Sequence, residues 1–182
     1  MYKNLVMAGF ISKSLLSNIQ KDMVDALATL GYKAMADAYA KRTFKHRTRN
    51  LHDSYGSAVY YDGKVVLSSI KYFGGIYSRG ADPRTKKTGR ETLNNYFRTH
   101  SFGATRHEIV LVVVAAMYYA GILENANKNM LARGPGDRYI VISPAHEYIN
   151  THYQSALQKV YQKYGIKEKP VTRVIKGEKL SR

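Results

Sequence analysis

The sequence predicts an α+β domain: a small, mostly antiparallel sheet with a long N-terminal and a long C-terminal helix on one face. Three observations carry this. Leu16, Ile19, Met23, Leu27 and Leu30 recur at helical spacing. The period then changes to two at Ser54, with Asp62-Gly63 as a hairpin turn between two apolar runs. Finally, Tyr148, Ile149, Tyr153, Ala156, Leu157, Val160 and Tyr164 form a second helical stripe closed by Gly165.

Taken in order, residues 12–41 read as one helix, with Ser12 or Ser14 as N-cap. Gly31 costs that helix about 1 kcal/mol relative to Ala. Ala34, Ala36, Ala38 and Ala40 let another element approach closely. Residues 42–53 are polar and basic and read as a loop. In the strand that follows, Tyr55, Ser57, Val59 and Tyr61 share one face, while Gly56, Ala58 and Tyr60 take the other. Lys64 to Ile70 is the return strand.

Residues 71–107 are broken by Gly74-Gly75, Gly80, Pro83 and Gly89. They carry a basic tip from Arg84 to Arg90 and a candidate short helix at 91–98. A connection this long is expected to be functional or mobile. Ile109 to Ala116 is β-branched and reads as a strand buried on both faces. A short helix over 118–124, a loop over 125–137 and a short strand at 139–142 follow. Ser143-Pro144 is expected to open the last helix, with Ser143 as N-cap. The expected organisation is one α+β domain over 1–165, with 68–107 as an extended basic excursion and 166–182 as a flexible basic tail.

The 182 residues hold 29 Lys and Arg against 13 Asp and Glu, a formal net charge of +16. Such a surplus favours polyanionic partners and says nothing of fold. Cys is absent, which removes disulfides, thiolate metal sites and thiol catalysis. The first residues lack the apolar core of a signal peptide. The most apolar run, 109–123, falls short of the roughly 20 residues a membrane-spanning helix needs.

Six histidines, His46, His52, His100, His107, His146 and His152, show no i, i+4 pair of the kind a helical zinc site uses. His52-Asp53-Ser54 are adjacent, which points their side chains apart and favours a structural pin over a triad. No phosphate-binding glycine loop is present. No cofactor, metal or catalytic residue is therefore expected. The basic residues Lys41, Arg42, Lys45, Arg47, Arg49, Arg84, Lys86, Lys87 and Arg90 are the candidate partner or DNA contacts. They suit solvated surface, acidic faces of neighbouring subunits, or non-specific nucleic-acid contact. The last gives an alternative function, a basic nucleic-acid-binding protein. Sixteen Tyr and no Trp suggest that some Tyr lie between subunits.

The segment Thr48-Arg-Asn-Leu-His-Asp-Ser54, after a long helix and before a hairpin, resembles the neck or tail-completion (head–tail connector) proteins of tailed bacteriophages. Their corresponding loop has the form Thr-Gly-Asn-Leu-x-x-Ser. Ala115-Ala-Met-Tyr-Tyr-Ala-Gly-Ile-Leu-Glu124 and Ser143-Pro-Ala-His146 match further short motifs of that family. Arg49 stands where the family often has Gly. The resemblance spans 12–164 and makes Thr48, Asn50, Leu51 and Ser54 the family-motif loop. It implies a non-enzymatic virion structural protein, made in the host cytoplasm and located at the neck. Such a protein forms a homo-oligomeric ring, a hexamer or dodecamer, that joins portal to tail and surrounds the DNA channel. Its implied partners are the portal, adjacent neck or tail proteins and packaged DNA, with no membrane.

Overall fold

The computed structural model describes residues 13–42, 50–69, 80–103, 108–117, 119–120, 123 and 141–170. Its elements are helix α1 (Lys13–Lys41), the single turn α2 (Asn50–Asp53), strands β1 (Tyr55–Tyr61) and β2 (Lys64–Ser69), helix α3 (Gly89–Thr99), strand β3 (Ile109–Ala115) and helix α4 (Ser143–Lys163). The sheet is antiparallel throughout, in the order β2-β1-β3. This is the expected α+β architecture with long helices at both ends of the chain.

The alternation read from β1 decides which element lies on which face. Tyr55, Val59 and their β3 neighbours Val113 and Leu111 face α1 and α4, together with Leu27, Leu30, Met35 and Leu157. Ala58 and Tyr60, with Val110, Val112 and Val114, face α3 through Leu93 and Phe97. Close approach is possible because side chains are missing where the layers meet. A Cβ on Gly31 would stand 2.8 Å from Leu111 Cδ1, and one on Gly56 would stand 2.7 Å from Leu93 Cδ2. The strand buried on both faces is therefore β1; the interior of β3 is only half-buried.

Several expectations are corrected. Residues 50–53 form a helical turn rather than loop, too short to show any periodicity. Within the connection expected to be functional or mobile, segment 80–103 is built into the fold: α3 has a complete capping box and buries Leu93 and Phe97 against the sheet. Val141 and Ile142 form no strand, and residues 139–140 lie outside the described residues. Ser143 is the first residue of α4, not its cap; Ile142 holds that position without a side-chain bond, and Pro144 stands in the first turn. The other end of α4 is as read. Gly165 adopts φ +69, its amide donates to Gln162 O at 3.0 Å, and the Ile166 amide reaches Tyr161 O at 2.9 Å. The expected tail lies outside the described residues from 171 onward.

Candidate functional site

Asn50 joins two parts of the chain that sequence order separates. Its side chain is fully buried. Its Oδ1 accepts the Gly89 amide at 2.9 Å and its Nδ2 donates to Gly80 O at 3.3 Å. The first residue of α3 thus rests on the first residue of α2, so tightly that a Cβ on Gly89 would stand 1.8 Å from Asn50 O.

The rest of the motif loop is equally internal. Leu51 enters the core between α1 and α4. Ser54 Oγ donates to Leu51 O at 2.7 Å and accepts from the Met117 amide at 3.4 Å, while Ser54 O accepts from the Ala116 amide. His52, buried against the Tyr39 ring at 4.6 Å, pairs through Nδ1 with Asp53 Oδ1 at 2.8 Å. The Ser54 hydroxyl is turned to backbone groups and not to this imidazole, which agrees with the pinning role. Thr48 lies outside the described residues.

The candidate basic residues that are described lie at the end of α1 and in the turn before α3. Lys41 closes α1 and stands 2.9 Å from Asp37, whose hydrogen bond raises the Lys41 pKa. Arg42 lies over the Tyr39 ring, 3.6 Å from its centroid, and donates to Tyr39 O. Across the junction, Asp82 organises the tip. Its Oδ1 accepts the amides of Arg84 at 2.9 Å and Thr85 at 3.0 Å, and its backbone closes the turn with Lys86 and Lys87. Lys86 takes φ +55 there. Thr88 then caps α3: its hydroxyl accepts the Glu91 amide, and Glu91 Oε2 accepts the Thr88 amide at 2.7 Å. That amide and hydroxyl hold the Glu91 carboxyl below its ordinary pKa. The turn leaves Arg84, Lys86, Lys87 and Arg90 exposed while Asp82 is buried beneath them. Lys45, Arg47 and Arg49 lie outside the described residues.

The opposite end of the sheet is built differently. Gln20 Nε2 donates to Tyr61 Oη at 3.0 Å, and Ser101 Oγ donates to Gly63 O at 2.7 Å. Asp22 receives both Lys163 and the Tyr164 hydroxyl, clamping α1 to the end of α4. A shallow cleft of about 320 Å³ lies between the hairpin turn and the end of α3, lined in part by Lys64, Val65, Phe97 and His100. Among the described residues, no His, Asp or Glu cluster of three or more is placed to hold a metal ion. No helix among them is long and apolar enough to cross a membrane.

Along one side runs β2, an outer strand. Its register on β1 skips between Val59–Leu67 and Tyr60–Val65, leaving Val66 as the extra residue of a β-bulge. Val65, Val66 and Leu67 are 39%, 46% and 41% exposed, the only large apolar side chains so exposed among the described residues.

No protein-family model, curated protein or solved structure matches this chain. Its geometry therefore stands by itself. Of the residues singled out in the sequence, Asn50, Leu51 and Ser54 act inside the fold. Arg84, Lys86, Lys87 and Arg90 form one displayed turn. The β2 surface carries no sequence signal of its own, because a short apolar run such as Val65-Val66-Leu67 looks the same whether it is covered or open.

Proposed function

We propose that this chain is a structural subunit of a ring in the neck of a tailed bacteriophage, joining portal to tail around the DNA channel. The observation that carries the reading is β2: an outer strand with three consecutive exposed apolar side chains beside a strand buried on both faces. Among the described residues no strand pairs with the outer edge of β2, and such an edge beside exposed apolar side chains is a surface that associates with protein. The occupant is a second copy of the chain. A patch that meets a different surface of the next copy gives a head-to-tail contact, which closes by rotation into a ring. The resemblance around 48–54 adds support, since Asn50, Leu51 and Ser54 fix the turn that leads from α1 into the hairpin.

The chain acts in this reading by fitting against its neighbours, without covalent chemistry or cofactor. Native mass spectrometry of the purified protein should give closed oligomers of one size. Phage particles should contain it in fixed stoichiometry to the portal. A protein that stays monomeric at high concentration and is missing from particles would sink the proposal.

A further inference from the structure

We infer that the junction between α1 and α3 is a binding face for the phosphate backbone of duplex nucleic acid, formed by Lys41 and Arg42 with Arg84, Lys86, Lys87 and Arg90. The inference does not depend on ring formation; it concerns what one end of the single chain can hold.

Three observations lead to it. The basic tip is a fixed shape, since Asp82 anchors two amides of its turn and the Asn50–Gly89 bond fixes its end to the fold. The side chains therefore lose less freedom on binding than those of a loose tail would. The end of α1 reaches the same place, because Tyr39, which carries Arg42, packs on His52 of the turn that Asn50 begins. The turn also directs its cations outward, with Arg84, Lys86, Lys87 and Arg90 exposed and Asp82 buried beneath them.

The composition of the face selects the partner. Segment 84–90 is Arg-Thr-Lys-Lys-Thr-Gly-Arg, without one apolar side chain. Protein interfaces anchor on aromatic and aliphatic groups at their centres and are depleted in Lys. Phosphate contacts use Arg, Lys and hydroxyl groups and need no apolar anchor. The exposed apolar residues sit instead on β2, with Val65 paired to Tyr60 toward the hairpin turn. No base-reading element is implied, so binding is independent of sequence and depends on salt.

The test is fluorescence anisotropy of the full chain with a labelled random-sequence duplex, titrated across salt concentrations. Lys86→Asn with Lys87→Gln removes two charges from the face; Asn tolerates the positive φ at position 86. Lys159→Gln with Lys169→Gln removes two exposed charges from α4 and the residues after it. Binding should appear at low salt, and its log–log salt slope should become shallower by about 1.8 in the first pair, at about 0.9 per phosphate contact. Affinity at low salt should fall roughly tenfold in that pair and stay unchanged in the second. Equal losses in both pairs would mean attraction by net charge alone and would overturn the assignment. So would no binding by the parent, or displacement by polyglutamate of matched charge as readily as by unlabelled duplex. Ring formation has its own readout in the oligomer mass, so either idea can fail without the other.

Discussion

Gly89 and Gly31 differ in what a side chain would meet. A Cβ on Gly89 meets backbone, Asn50 O at 1.8 Å, so relief requires separating α3 from α2. A Cβ on Gly31 meets Leu111 Cδ1 at 2.8 Å, which can shift, and Ser57 Cβ at 2.9 Å, which moves only with β1; Ala recovers about 1 kcal/mol of helix propensity. Gly89→Ala should cost about 3 kcal/mol or more, at or above the upper range of overpacking, and Gly31→Ala clearly less. Urea midpoints of the two variants check the order. The local sequence sets Gly31 within a helix and Gly89 at a break, but it does not show the steric cost at Gly89, because the contacts there come from a residue 39 positions away. A buried Tyr gives a second test at this scale. Burial, with a smaller contribution from Tyr96, pushes the Tyr60 phenol up to about 12. Its hydroxyl donates to Phe97 O at 3.3 Å. The folded state thus holds a proton that the unfolded chain releases near pH 10. Stability from this group is complete below that pH and is lost as pH rises toward about 12, by at most about 3 kcal/mol. Urea unfolding across that window should show the fall, and Tyr60→Phe should flatten it.

Among the elements, α3 is the one whose place the sequence concealed. The sequence reading puts a short helix at 91–98 and misses its start, which the capping box Thr88–Glu91 places at Gly89. Its docking is not legible either, because Gly56 and Leu93 meet only once β1 is paired on both sides. Thr88→Ala should cost about 1 kcal/mol and raise amide exchange first within α3. Equal acceleration in α1 would show that α3 is inseparable from the main core. The α1 stripe and the β1 hairpin were legible because each carries its own period, and the structure follows both. The single turn α2 and the irregular Val141-Ile142 have no period to read. Tyr55 Oη donates to Val141 O at 2.8 Å, a long-range bond. The pairing of α1 with the end of α4 rests partly on charge. Lys163 and Tyr164 both bond to Asp22 and hold its carboxyl below the ordinary value. A depressed carboxylate stabilises above its unfolded pKa and loses that contribution as pH falls through its folded one. Asp22→Asn should therefore lower Tm slightly at neutral pH and reduce the loss of Tm on acidification.

At the scale of the whole molecule, the basic turn and the exposed apolar residues lie on different elements, and in the proposed ring β2 is the strand that decides whether the chain remains single. An open apolar strand invites indiscriminate pairing unless something limits it. Two features of β2 do: Lys64 at its start, and the bulge at Val66, which breaks the regular hydrogen-bonding ladder. A strand interrupted in this way accepts only a partner shaped to the bulge, which is what a ring of defined size needs. Val66 bears the largest exposure of the three apolar residues, so Val66→Lys places charge at the contact while removing little from the core. The lone subunit should keep its stability within about 0.5 kcal/mol, as surface substitutions usually do. Its oligomers should dissociate, because a charge buried without a partner in a subunit contact is costly. Sedimentation velocity alongside thermal unfolding separates the two effects. Intact rings from Val66→Lys would place the subunit contact elsewhere, whereas a folded monomer would assign it to this strand.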